Sequence, residues 1–317
     1  MLTLQLIEEA RGQIRRLVHR TPVLTSRSFD ERVGREVFFK CENLQRGGAF
    51  KMRGATNRIQ ALTGEEKARG VCAFSSGNHA QAVALASRDA NVRATIVMPS
   101  DAPRAKVEAT KGYGAEIIFY ERERDDRQQV AEEVAESRGL VMVPPYDDYF
   151  VMAGQGTAAI ELFEEVGELD ALVVPCGGGG LFAGASVAAR AISPRTECYA
   201  VEPEAGDDTR QSYLKGEPVS IPVPQTIADG ARVQSPGELT FPFVRKNAAD
   251  VLTVSDAEII EAMKFLLLRM KILVEPTGGL AAAALLFNKL PRHIRRTGVV
   301  LSGGNVDADA LARLLQS

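Results

Sequence analysis

The 317-residue chain has no tryptophan, three histidines, four cysteines and only 6% aromatic residues. Each shortage disfavours a class of function. With only His19, His79 and His293, chemistry built on several imidazoles is disfavoured. Cys41, Cys72, Cys176 and Cys198 are widely spaced and form no CxxC pair. That argues against a zinc or redox site and suits isolated thiols in a reducing cytoplasm. No apolar run reaches the roughly 18 residues that a membrane span needs. A net charge of −3 offers no basic footprint for nucleic acid or an anionic membrane surface. Acids and arginines at helical spacing in "MLTLQLIEEARGQIRRL" predict a first helix rather than a signal peptide. What is present is ordinary for a globular protein: 45% apolar and 25% charged residues, with length enough for two lobes or one large α/β unit.

Short apolar runs alternate with helical stretches. "VFFKCENL", "GVCAFSS", "RATIVMPS", "AEIIFY", "DALVVPC", "ECYAVEPE" and "GVVLSGGN" read as strands. Between them, "HAQAVALASRDA", "APRAKVEATKGYG", "DDRQQVAEEVAESRG", "GQGTAAIELFEEVG" and "LFAGASVAARAI" read as helices, with "ERERDDR" as a solvated helix start. Such alternation implies parallel sheets covered by helices on both faces. Ligands of such sheets collect beyond the carboxyl ends of the strands. The Pro- and Gly-rich "KGEPVSIPVPQTIADGARVQSPGELTFP" is too apolar for a flexible linker and predicts an ordered excursion near the site.

Three features point to an anionic cofactor bearing a carbonyl. In "VVPCGGGGLFAG", a buried strand leads through Gly177, Gly178, Gly179 and Gly180 into a helix. Backbone N–H groups without Cβ atoms can close around phosphate oxygens, helped by the helix N-terminus. A plain strand-to-helix turn needs only one or two glycines. The run is neither GxGxxG nor GxxxxGK[ST], which disfavours dinucleotides and Walker-type nucleotides. In "QRGGAFKMRGATNR", Lys51 heads an amphipathic helix among small and apolar neighbours. Desolvation would lower its pKa and make it an amine nucleophile; a lysine snorkelling from a helix start is the alternative. In "FSSGNHAQA", Ser75, Ser76 and Asn78 either cap a helix or grip a substrate carboxylate.

Together these motifs resemble the fold-type II pyridoxal-phosphate (PLP) enzymes, specifically the serine/threonine dehydratase and serine racemase family. The resemblance runs from "HRTPVLTS" through "FKCENLQRGGAFKMRGA", "SSGNHAQAVA", "AGQGTAAIEL", "PCGGGGLFAG" and "VEPEAGDD" to "EPTGG" and "LSGGNVD". It implies a tryptophan synthase β-like α/β fold with two lobes, each with a mostly parallel sheet flanked by helices. Residues 1–69 and 148–317 would form the large PLP-binding domain and 70–147 the small one. Lys51 is implied to be the Schiff-base lysine, with Ser76 as a second catalytic group on the opposite cofactor face. Phe50 packs near the ring, Asn78 meets its 3-hydroxyl, and Ser302 faces its nitrogen. Gly177 to Gly180 with Leu181 hold the phosphate. Ser75, Ser76, Asn78, His79 and Arg127 are the implied substrate contacts. Glu202, the Gly206 carbonyl and Asp208 are the implied ligands of Mg2+ or Ca2+, hard ions that suit such oxygens.

The activity so implied converts L-threonine or L-serine to a 2-oxo acid and ammonia. A neutral hydroxyl at the ring nitrogen favours loss of a β-substituent over transamination. Proton-transfer groups on both faces, Lys51 and Ser76, would add serine racemisation. The alternative is threo-3-hydroxyaspartate dehydratase, whose second carboxylate needs a further cation, with Arg53 and Arg127 both open. β-Replacement is disfavoured by "SSGNH". A different class, a non-catalytic phosphate-ligand binding protein, would leave Lys51 without purpose. A homodimer is implied. Arg46-Gly47 in place of the usual Lys-Thr pair argues against nucleotide activation, and Tyr146 stands where racemases carry asparagine.

Overall fold

The computed structural model describes residues 1–102, 104–121 and 124–316. Among these, ten strands follow in chain order: β1 Val23–Leu24, β2 Glu36–Cys41, β3 Val71–Phe74, β4 Ala94–Pro99 and β5 Glu116–Tyr120, then β6 Val141–Met142, β7 Ala171–Pro175, β8 Glu197–Pro203, β9 Ala248–Val254 and β10 Arg296–Leu301. They build two sheets, one ordered β1-β2-β10-β7-β8-β9 and one ordered β5-β4-β3-β6. Every ladder is parallel except β1 with β2. The runs VCAF, ATIVMP and ALVVP of β3, β4 and β7 are buried at every position, as a strand covered on both faces must be.

The alternation expected from sequence is present, with adjustments that have local causes. The helix expected from Gly154 starts at Tyr149 and runs to Val166, because Asp148 caps it by accepting the Val151 N–H at 2.9 Å. The last strand stops at Leu301, so "SGGN" leaves the sheet as loop. Of "ERERDDR", Arg122 and Glu123 lie outside the described residues; the helix itself is Arg127–Arg138, capped by Asp126. Neither the two-residue β1 nor β9, Ala248–Val254, stands out as a separate apolar run.

Three helices set the geometry of the cleft. Lys51–Gln60 packs on Tyr149–Val166, which in turn packs on Gly180–Ile192. Their backbones touch. A Cβ on Gly154 would lie 2.6 Å from the Arg53 carbonyl oxygen, and one on Gly184 would lie 2.2 Å from that of Met152. Only glycine permits such contact.

Candidate active site

A cavity of about 500 Å³ opens at the carboxyl ends of β3, β7 and β10 and is lined from both sheets. Each of those strands ends in a loop bearing one of the motifs. After β3 come Ser75, Ser76 and Gly77, with Asn78 as the first residue of the helix Asn78–Asp89. After β7 comes the tetraglycine run, which enters the helix Gly180–Ile192 with Gly179 at φ +87°. After β10 comes Ser302. All of these residues face the cavity, as do Phe50, Lys51, His79, Arg127 and Leu181.

Lys51 is half-buried, and its Nζ donates to the Pro145 carbonyl at 2.5 Å. With no acid beside it, burial alone lowers its pKa to about 8, so an appreciable fraction is free amine near neutral pH. His79 is buried; burial, then the charge of Lys51, push it down to about 3, against the bond to Val143. A neutral ring donating Nε2–H to the Val143 carbonyl at 2.8 Å leaves Nδ1 as an unpaired acceptor. Ser302 is 2% exposed and holds only a long 3.4 Å bond to the Thr277 carbonyl. Its hydroxyl is therefore still available to a ligand atom.

Tyr146, which lines the same cavity, lies against the tetraglycine loop so closely that a Cβ on Gly178 would sit 2.3 Å from its ring. Gly178 also gives its carbonyl to the Thr240 hydroxyl at 2.6 Å, which fixes that peptide of the loop. The tetraglycine run and the amine thus share one chamber. The Arg127 guanidinium stands 5.8 Å from the Phe74 ring centroid, and Arg232 and Lys106 line the same wall. Lys106 pairs with Asp229 at 3.0 Å across the cleft.

Behind the Lys51 helix lies a sealed charge network. Arg53 is fully buried and reaches Glu42 at 2.7 and 2.8 Å and Glu161 at 2.8 and 2.7 Å. Lys40, equally buried, bonds Glu161 at 2.7 Å and the Thr21 carbonyl at 2.7 Å. Arg53 is therefore removed from the cations available to a substrate.

The acidic loop after β8 lies outside the cavity lining. Glu202 is fully buried and accepts the Arg210 N–H at 2.9 Å. Asp208 is fully buried and both of its carboxyl oxygens lack a hydrogen-bond partner. Burial, and for Glu202 the neighbouring Asp208, push both carboxyls up. Two neighbouring buried acids, one of them with both oxygens orphaned, are expensive unless a cation lies between them. Gly206 closes the short turn Glu204–Gly206 between them. Among the described residues no three His, Cys, Asp or Glu side chains converge, so a cation here would rely on two carboxylates plus backbone and water oxygens.

Glu275 is a cavity residue that the motifs left without a role. It is 4% exposed and directly precedes the helix Pro276–Leu286. An acid at that place reads in sequence as an ordinary helix cap. Its side chain makes no cap bond and turns instead to Asn78, whose Nδ2 donates to Glu275 Oε1 at 2.6 Å.

The comparisons agree with this geometry. Residues 14–303 match the family model described as pyridoxal-phosphate dependent enzyme. The chain is 52% identical to an L-threo-3-hydroxyaspartate ammonia-lyase of Saccharomyces cerevisiae, over 97% of this chain and 94% of that protein. It is 52% identical to a serine racemase of Schizosaccharomyces pombe, over 98% and 96%. The structure of maize serine racemase superposes with a TM-score of 0.95 at 42% identity, covering 99% of this chain and 97% of the other. With residues 14–303 matched by the family model and relatives 52% identical along nearly the whole sequence, the chain belongs to the family of pyridoxal-phosphate dependent enzymes.

Proposed function

We propose that the chain dehydrates β-hydroxy amino acids, L-threonine or L-serine, to a 2-oxo acid and ammonia, with serine racemisation as an accompanying activity. The observation that carries this reading is a lysine amine, brought to a pKa of about 8 by burial alone, inside the chamber walled by Gly177–Gly180. Pyridoxal phosphate, when bound, supplies an aldehyde for that amine and an electron sink for the substrate Cα. The residues do the rest. N–H groups of Gly177–Gly180 and Leu181, at a helix N-terminus, would hold the phosphate. Asn78 and Ser302 would hold the ring edge, with Phe50 beside it. Lys51 would move the Cα proton on one face and Ser76 on the other. The Ser75 hydroxyl and the backbone N–H groups of Asn78 and His79, at a helix N-terminus, would grip the substrate's α-carboxylate. Closure of residues 70–147 over the cleft would exclude water.

A specific observation favours a second reading, 3-hydroxyaspartate as substrate. With Arg53 sealed in its ion pairs, the cations left on the cavity lining are Arg127, Arg232 and the Asp229-paired Lys106, and of these Arg127 would serve a β-carboxylate. The yeast relative's name supports that reading. Keto-acid release across L- and D-serine, L- and D-threonine and L-threo-3-hydroxyaspartate tests the set. No release from any of them would end it. Arg127→Ala is expected to cut kcat/KM for hydroxyaspartate by about 10- to 100-fold, the worth of a charge-assisted bond. Equal loss on serine would refute the β-carboxylate role.

In the same reading, Glu202, the Gly206 carbonyl and Asp208 hold Mg2+ or Ca2+, hard oxygens for a hard ion. The chain works as a homodimer in the cytoplasm. Exposed Leu44 and Leu273, joined through the 2.9 Å bond from Asn43 Nδ2 to the Leu273 carbonyl, suit a self-contact. The four free, buried cysteines fit a reducing compartment. No helix among the described residues is long and apolar enough to cross a membrane.

A further inference from the structure

Asn78 is held from two sides. Its Nδ2 donates to Glu275 Oε1 at 2.6 Å, and its Oδ1 accepts from Asn305 Nδ2 at 2.9 Å. Asn305 is itself anchored by donating to the Gly47 carbonyl at 2.7 Å. These partners settle which way the amide points: oxygen toward Asn305, nitrogen toward Glu275. One N–H of Nδ2 is then used and the other is left over, and Asn78 lines the cavity. Glu275 has little freedom to relax. Its own N–H donates to the Gly303 carbonyl at 3.1 Å, and its Oε1 crowds Gly303, where a Cβ would come within 2.2 Å of that oxygen.

We infer that Glu275 is a positioning residue that turns the spare N–H of Asn78 toward the cofactor's ring oxygen and sets, by its own charge, the pH at which the bound chromophore loses its proton. This rests on the reading of Asn78 as the partner of that oxygen. A neutral side chain in place of Glu275 leaves the Asn78 amide free to turn over and removes a negative charge next to the ring. Losing the N–H disfavours the anionic ring oxygen and losing the charge favours it; in a dry site the charge is the larger effect, so the balance moves toward the deprotonated chromophore. The charged groups facing Glu275 from neighbouring elements are Asp229, on the turn Asp229–Ala231, and Lys106, on the helix Arg104–Gly112. Burial and then Asp229 raise the carboxyl to about 8, against the pull of Asn78 and Lys106. Glu275 thus changes charge in the range where the enzyme would operate.

The test is the near-visible absorbance of the holoenzyme titrated with pH, alongside kcat and KM. Glu275→Gln should move the absorbance midpoint down by about one pH unit or more, the effect of one nearby charge in a dry site. It should lower kcat with KM near the native value, and Glu275→Asp should recover part of the shift. A Glu275→Gln protein that folds, binds cofactor and titrates at the native midpoint overturns the inference. Asn78→Ala separates the two layers. If it moves the spectrum while Glu275→Gln does not, only the role of Glu275 fails. If neither moves it, the reading of Asn78 fails as well. Should Glu275→Gln not fold, Asn305→Ala, which frees the other end of the amide, is expected to shift the midpoint, and an unchanged midpoint there counts equally against the inference.

Discussion

Replacing Arg53 by methionine keeps much of its volume and removes its charge. Arg53 is the hub between Glu42 and Glu161, with four carboxylate contacts of 2.7 to 2.8 Å and further bonds to Thr157 at 3.1 Å and the His19 carbonyl at 3.2 Å. Without it, Lys40 alone faces two buried acids. Breaking a buried pair by deleting one partner costs about 3–5 kcal/mol, because the remaining charge is stranded. For a chain of this size that corresponds to a Tm lower by about 4–8 °C. The deficit should depend on pH. Burial pulls Glu161 up, yet the hydrogen bond and charge of Arg53, with Lys40, hold it below the ordinary carboxylate range. In the variant one acid must take a proton, so its folded pKa rises above the unfolded value of about 4.3. The folded state then binds a proton that the unfolded chain lacks, which favours folding at low pH and is lost as pH rises through the raised pKa. Thermal unfolding of native and Arg53→Met proteins at pH 5 and pH 8 reads this directly. A deficit below about 1 °C, or one equal at both pH values, would refute the argument.

The remaining predictions use the same structure. In cofactor-free protein, Lys51 at about 8 binds fewer protons folded than unfolded up to about 10.4. Native Tm measured against a Lys51→Met control should therefore rise relative to it between pH 8 and 10, and parallel curves would contradict the buried amine. Gly178→Ala puts a Cβ into the Tyr146 ring and should weaken PLP binding about tenfold or more, measured by absorbance titration; native affinity would mean the loop yields freely. Stripping divalent cations should expose the acidic pair of Glu202 and Asp208, lowering Tm as expected for losing about 2.7 kcal/mol of binding at a hundredfold excess over Kd. An unchanged melting curve would count against a cation there. Ser76→Ala should abolish serine racemisation and spare most L-dehydration, checked by chiral chromatography beside keto-acid release; equal loss of both would refute a two-face division of labour.

Much of this was legible because periodicity and punctuation are local signals. The uninterrupted apolar runs of β3, β4 and β7 read as buried parallel strands, and the loops that follow them carry the chemistry in sequence order. Lys51 was legible as an amine in apolar surroundings. Long-range pairing was not legible. Nothing in "VFFKC" or "KMRGA" marks Lys40 or Arg53 as a buried ion-pair partner, since Glu161 lies 121 and 108 positions away. For the same reason, the choice between Arg53 and Arg127 as a substrate cation required the fold, which seals one and leaves the other on the cavity wall. Glu275 was hidden by looking like a helix cap. The helix expected at Gly154 was read short because its first turn, "YFVMA", lacks polar punctuation of its own.

The backbone contacts at Gly154 and Gly184 divide the cleft into two unequal sides. Because the helix Tyr149–Val166 touches both the lysine-bearing helix and the one behind the glycine cradle, it works as a spacer of fixed thickness, and even a methyl group there would change the distance between anchor points. The opposite side, with Arg127 and Lys106, carries long side chains on separate elements and has no such constraint. Diversification toward new substrates should accumulate on that tolerant side, while the spacer stays frozen across any lineage that keeps the cofactor.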